Sequence, residues 1–236
     1  MGEGNLVLAG ICGLGRLTGP AVLRTDAGFA SGPADITSGP PGALLASAIV
    51  PFLGVVGCAA DGVDQIGPRL IEPMLRRGWG AGVTLTPTAA TWLDAEGSIP
   101  RLRELTGLPV RRAPRLPSEA KPHPVPDCYV VTPATANTVA KLGLGLADNQ
   151  ALTQVCEAIG GGDVPVIVFP RINAAHAAHP AWPQHIAALR KAGVTLITGE
   201  DVWPLHRPRE GSPDRELPWS AIIEAIETNS PKNRPG

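Results

Sequence analysis

The sequence predicts an α/β fold with a central parallel sheet covered by helices on both faces. Two observations carry this. Short apolar runs alternate with segments of helical length along most of the chain, the pattern of repeated strand–helix–strand units. The runs at 52–57, 127–132 and 164–169 are continuously apolar rather than alternating, as strands buried on both faces must be.

The elements follow in order. Residues 1–47 are rich in Gly and Pro and read as an N-terminal extension; "GICGLG" at 10–15 lacks the G-x-G-x-x-G spacing. Phe52–Gly57 is the first strand. Val63–Arg77 is a helix carrying Ile66, Leu70 and Met74 on related faces, weakened by Pro68 and Pro73 and stopped by Gly78. "GVTLT" at 82–86 is the second strand, and Pro87–Leu93 starts a helix with proline in its first turn. Residues 98–106 are helical and "LPVRR" is a short strand. Residues 113–126 hold five prolines and form an extended loop.

"DCYVVT" at 127–132 is a strand, followed by helices over Ala134–Leu146 and Asn149–Ile159, the second capped by Asp148. "VPVIVF" at 164–169 is a buried strand. Trp182–Ala192 is a helix closed by Gly193, and "VTLI" at 194–197 is the last strand. A polar linker over 204–217 leads to a helix in "PWSAIIEAIET" and a frayed tail. The expected organisation is an extension over 1–47, a main domain over 48–203, and a linker, helix and tail over 204–236.

Composition excludes several classes of function. A net charge of −1 over 236 residues argues against a basic nucleic-acid surface. The cysteines, Cys12, Cys58, Cys128 and Cys156, are isolated singletons without a C-x-x-C pair, which points to a reducing, cytoplasmic setting. Residues 43–60 carry no charge, and Val55-Val56-Gly57-Cys58 matches the box at which lipoproteins are cleaved. Pro51, Gly54 and Gly57 interrupt this run and no basic segment precedes it, so the reading is a buried strand rather than a membrane span or export signal.

Ligands of parallel sheets bind beyond the carboxyl ends of strands, which directs attention to three exits: "GCAADG", "TPATANT" and "PRINAAH". In the middle exit small hydroxyl residues and an amide enter a helix, where free backbone N–H groups and the positive helix end suit an anion. Pro133-Ala134-Thr135-Ala136-Asn137-Thr138, followed by Ala140-Lys141 and Gly145-x-x-Asp148, resembles the P-A-S/T-A-N-T signature of the homo-oligomeric flavin-containing cysteine decarboxylases. This family includes phosphopantothenoylcysteine decarboxylase and the peptidyl-cysteine decarboxylases of lantibiotic type. The resemblance runs from about Phe52 to Ile197. "FLGVVGCAADGV" is similar to the family's first strand and loop, and "VTLTPTAATWL" to its second strand and flavin-contacting turn. "PVIVFPRINAAHAAHPAW" is similar to the P-x-M-N-x-x-M substrate clamp; Pro170 and Asn173 agree, while Ile172 and His176 stand where methionines are usual.

The resemblance implies a three-layer, Rossmann-like fold of flavodoxin type, FMN held across a subunit interface, and a homo-oligomer built from trimers. By position, Gly57, Cys58 and Ala59 would line the first FMN loop, with Cys58 where serine is frequent. Thr86, Pro87, Thr88 and Ala89 would contact the flavin or its phosphate, and Ala134 and Thr135 would approach the phosphate or ring. Asn137 would hold the substrate carboxylate; Asn173 and His176 would belong to the clamp. The implied reaction is oxidative decarboxylation of a cysteine-like carboxylate on a small molecule or peptide. In the family's H-I-x-L-x-x-x-A-D segment, Asp127 fills the aspartate position, Glu119 stands in place of the histidine, and His123 is the candidate replacement.

Two other classes remain open: a non-catalytic flavin- or nucleotide-binding module, and an FMN prenyltransferase-like enzyme of the same broad fold. Flavin absorbance separates flavoproteins from other folds, and carbon dioxide release separates a decarboxylase from a binding module. His176, His179 and His185 have spacing open to a metal, but Pro180 breaks the local helix and no Asp, Glu or Cys joins them, so no metal is expected. Lys141 reads as one partner of a surface salt bridge.

Overall fold

The computed structural model describes residues 50–210 and 215–231. The expected extension over 1–47, with its "GICGLG", and the end of the tail lie outside the described residues.

Five parallel strands form the sheet: β1 (Phe52–Gly57), β2 (Gly80–Leu85), β3 (Cys128–Ala134), β4 (Val166–Pro170) and β5 (Thr195–Leu196), in the order β2-β1-β3-β4-β5. The chain builds outward from β1 to β2, then returns to β3 on the other side of β1. This is the doubly wound flavodoxin-like order, and its reversal between β1 and β3 marks the crevice where such folds bind ligands. The stretch that superficially matched a lipoprotein box is β1, bonded to β2 on one side and β3 on the other. Among the described residues no helix is long and apolar enough to cross a membrane.

Side chains alternate across the pleat and split the core in two. Leu53, Val55, Val83, Leu85, Val130, Ile167 and Phe169 face one layer. That layer contains α1 (Glu72–Arg76), α2 (Pro87–Ala95), α3 (Ser98–Thr106) and α8 (Trp219–Thr228). Val56, Val131, Val166 and Val168 face the other, formed by α4 (Ala136–Leu144), α5 (Gln150–Gly161) and α7 (Trp182–Lys191). A single turn, α6 (Ala174–Ala177), precedes α7. Leu217 and Trp219 are buried in the first core, with Leu205 packed against it, so both ends of the segment expected as a polar linker over 204–217 join that layer.

Local differences from the sequence reading have physical causes. The helix expected over Val63–Arg77 is a 3₁₀ turn (Val63–Gln65), a π-helical stretch (Gly67–Ile71) and then α1. Pro68 and Pro73 each lack an N–H for the regular ladder. "LPVRR" forms one bridge, Thr84 to Arg111, rather than a strand. α4 begins two residues later than expected because β3 continues through Ala134 and Thr135 caps the helix, its Oγ1 accepting from the Thr138 N–H at 3.1 Å. The cap of α5 is Asn149, whose Oδ1 accepts from the Leu152 N–H at 3.1 Å, and not Asp148. Asp148 instead pairs with Lys141 at the surface.

The second face is covered unevenly. α4 and α7 pack together on this face, while α5 reaches across to β2 and meets the β1–β2 half together with the proline-rich loop. A groove of about 630 Å³ opens there, floored by Gly54, Gly82 and Thr84. Gly54 has a steric reason to be glycine: a Cβ would stand 2.5 Å from the Tyr129 ring, which lies flat against this strand.

Two stability outcomes follow. Phe169 is fully buried and edge-on to Trp203 at 5.4 Å between ring centroids, so Phe169→Ala should cost about 3–5 kcal/mol in urea denaturation. Asn149→Ala should cost about 1 kcal/mol through the lost cap, and Asp148→Ala should cost less.

Candidate functional site

Backbone hydrogen bonds carry the strand alignment past the strand ends and hold the exits side by side. The Thr86 N–H donates to Gly57 O at 2.9 Å, the Cys58 N–H to Pro133 O at 3.3 Å, and the Arg171 N–H to Ala134 O at 2.8 Å. Gly57, Thr86, Ala134 and Asn173 therefore belong to one continuous edge. A Cβ on Gly57 would lie 2.8 Å from Leu85 Cδ2, so a larger residue at the first exit would have to displace the buried Leu85 side chain.

Two helix N-termini open onto this edge, and they differ. In α4 the Thr135 side chain occupies the Thr138 N–H. In α2 the Thr86 side chain makes no cap bond and Pro87 has no N–H to offer, which leaves the N–H groups of Thr88 and Ala89 without intrahelical partners. With the Thr88 side chain exposed beside them, this end fits the anionic end of a ligand such as the phosphate of FMN. The Asn137 side chain, in the first turn of α4, is exposed and makes no hydrogen bond among the described residues. Its amide is free to bind a carboxylate. Asn173 caps α6, accepting from the His176 N–H at 3.0 Å, and His176 is exposed beside it.

Three predicted contacts cannot be made by side chains. Ala89 and Ala134 are fully buried and Cys58 is 1% exposed, so Ala89 and Ala134 can reach a ligand only through backbone. Cys58 is further committed, because its N–H is taken by Pro133 and its thiol points into the core beneath α4. The Thr138 hydroxyl donates to Cys58 Sγ at 3.4 Å and lies 3.1 Å from Thr135 Oγ1. Burial pushes the Cys58 pKa up to about 11, with the Thr138 hydrogen bond opposing the rise. A thiol held protonated in this way is no nucleophile; it fastens the first exit to the first turn of α4.

His123 is not brought to the exits. It lines the groove over mid-strand Gly82, and none of the strand-exit candidates lines that groove. Its Nε2 is 2.7 Å from Pro109 O. Burial lowers its pKa, the Pro109 carbonyl opposes this, and Arg111 adds to the lowering. Glu119, at the position matched to the family histidine, closes a loop turn by accepting from the Leu116 N–H at 2.8 Å. Asp127 bonds the Phe52 N–H at 2.8 Å, satisfying β1 at the end of the sheet opposite the exits.

The family model described as Flavoprotein matches residues 67–228, more than half of the chain. This chain belongs to the Flavoprotein family. A solved FMN-dependent cysteine decarboxylase, TvaF from thioviridamide biosynthesis, aligns with TM-score 0.56 and 26% identity over 75% of this flavoprotein and 96% of that chain. A cysteine/cysteine sulfinic acid decarboxylase from an unknown prokaryotic organism is 35% identical over 71 residues, 30% of this chain and 19% of that relative. The bifunctional coenzyme A biosynthesis protein CoaBC of Thermococcus kodakarensis is 34% identical over 71 residues, 30% of this chain and 17% of its own. The matched stretch thus spans less than a fifth of either curated relative.

The sequence reading of this flavoprotein missed a group at the exit of β4. Arg171 donates to Asp61 Oδ2 at 3.1 Å, joining the β4 exit to the β1 exit loop. Arg171 and Arg215 both pack on the Trp203 ring, at 5.1 and 3.5 Å from its centroid. The available signal was the density of arginine in "HRPRE" and "DRE", within a chain of which only 17% is charged.

The buried thiol sets a pH dependence. The folded state holds the Cys58 proton to about pH 11, against an ordinary value of 9.0. The unfolded chain therefore releases this proton first, and stability should fall as pH rises between these values. Cys58→Ser should flatten that alkaline slope in denaturant titrations followed from neutral to alkaline pH.

Proposed function

We propose that this flavoprotein binds FMN at the β1/β3 reversal and decarboxylates a cysteine-type carboxylate on a small molecule or peptide. The observation that carries the reading is the exposed, unpaired amide of Asn137, set in the first turn of α4 beside the uncapped N-terminus of α2. A carboxylate binder and an anion binder thus share one edge of the sheet. The likeness to TvaF, described as an FMN-dependent cysteine decarboxylase, supports the same chemistry.

Bound FMN would supply the electron acceptor that lets a carboxylate leave as carbon dioxide. This chain's residues do the positioning. The Thr88 and Ala89 N–H groups and the Thr86 and Thr88 hydroxyls hold the phosphate. Gly57, Ala59 and Thr135 present a low surface along which a flat ring can lie. The Asn137 amide donates to the substrate carboxylate and fixes its direction. Asn173 and His176 stand at the β4 exit, where they close on the substrate from the far side. Cys58 supports the edge from within, and His123 packs over the groove outside this arrangement.

A homo-oligomer, a trimer or a multiple of trimers, is part of the same proposal. A groove stays open over Gly54, Gly82 and Thr84 between α5 and the proline-rich loop, on which Leu116 and Val125 are 64% and 75% exposed. A second subunit would supply the missing cover. The free cysteines among the described residues fit a cytoplasmic protein.

Native mass spectrometry of the purified chain should find FMN and subunits in equal number, in multiples of three. Asn137→Asp should retain flavin absorbance and lower carbon dioxide release from cysteine-terminated substrates roughly ten- to a hundredfold, the worth of one hydrogen bond to a charged group. A colourless protein that takes up no added FMN would refute the reading.

A further inference from the structure

We infer that the cavity at the exit of β4 is a binding site for a phosphate-class oxyanion. The cavity measures about 220 Å³, and four arginines line it: Arg171, Arg207, Arg209 and Arg215. Its carboxylate is Asp61, whose side chain is 83% exposed, so most of that charge is spent in water. Arg207 and Arg209 form no ion pair among the described residues.

Of the two inner arginines, Arg171 is paired with the exposed Asp61, and Arg215 forms no ion pair among the described residues. Both guanidinium groups lie over the Trp203 ring, and Arg215 also donates to Pro204 O at 2.6 Å. The buried Nε of Arg171 has no partner among the described residues, a donor left idle in a site lined by like charge. Burial and the nearby Arg171 charge lower the Arg215 pKa, with Glu200 opposing. Fixing several cations against one another costs energy, and a multidentate oxyanion relieves that cost through charge-assisted, bidentate hydrogen bonds. Phosphate fits this geometry better than a single carboxylate because it offers more acceptors to converging planar donors. The volume exceeds that of several waters, which leaves room for the chain to which a phosphate ester is attached.

The site borders Asn173 and the Asp61 loop, and so adjoins the proposed active edge. Oxyanion binding itself is independent of the flavin reading; the identity of its natural occupant rests on that reading. With the phosphate of FMN placed at the N-terminus of α2, an anionic group on the substrate is the source that fits this cavity; the phosphate of FMN is the other source of the same chemistry, and its binding here would displace it from α2.

Calorimetric titration of the full chain with inorganic phosphate tests the inference, using FMN-free and FMN-saturated protein in parallel. Phosphate should bind the wild type, more weakly as salt rises. Its affinity should fall about tenfold or more in Arg207→Ala/Arg209→Ala, the loss expected for charge-assisted contacts. These two residues are exposed, so circular dichroism of the variant should be unchanged. Phosphate binding that persists in FMN-saturated protein assigns the pocket to the substrate. Competition by FMN but not by riboflavin assigns it to the cofactor's phosphate. Absence of phosphate binding, or equal binding by wild type and variant, overturns the inference. Phosphate binding by a protein that takes up no FMN would retain this site and remove the flavin reading.

Discussion

Everything proposed for this protein depends on the parallel ladder continuing for one residue beyond its strands. The bonds from Thr86 to Gly57, Cys58 to Pro133 and Arg171 to Ala134 use backbone groups that would otherwise be orphaned at the sheet edge. They bring four chain segments, distant in sequence, into one line. Side chains near this line must then be small or turned away. A Cβ on Gly57 would have to displace Leu85, while Ala89, Ala134 and Cys58 are withdrawn into the core. The groups left exposed include Thr88, Asn137 and His176, side chains able to hydrogen-bond a ligand.

The fold was legible because each layer imposes its own pattern. Val166–Pro170 is buried throughout, as a strand packed on both faces must be, and Phe52–Gly57 is nearly so although Gly54 borders a groove on one face. Strand-exit chemistry was legible for a related reason: hydroxyl and amide residues directly after an apolar run are costly to bury and useful at a helix start. What the sequence hid depends on choices between near-equal local options. Asp148 and Asn149 are both good caps, and only the path of the chain selects Asn149. Pro68 and Pro73 permit either a broken helix or a widened one, and packing of Ile66, Leu70 and Met74 keeps the segment in register.

Cys58 shows how a candidate can lie in the right place with the wrong orientation. Its position after β1 suggested a ligand contact, yet pairing with Pro133 turns its Cβ toward α4. The Thr138 hydroxyl then meets sulfur, and Thr135 in turn caps the helix. This chain of contacts fixes the first turn of α4, and with it the direction in which Asn137 projects. Cysteine in place of serine costs the exit a donor, but it places a small apolar group where a hydroxyl would need a further partner.

The uneven cover of the sheet gives the clearest physical argument for assembly. A parallel sheet is stable with helices over both faces, yet here β1 and β2 present Gly54, Gly82 and Thr84 to a groove on one side. Small residues on that floor are not a failure of packing, because the Tyr129 ring and the His123 imidazole lie close against them. The remaining opening is lined in part by Val125, and Leu116 stands exposed on the same loop, apolar side chains that gain nothing from water. α5 and the proline-rich loop form its walls and leave it open, and the prolines keep that loop from folding into a further helix over it. In the assembly proposed above, a second copy would cover this groove over the middle of β1 and β2, apart from the strand exits.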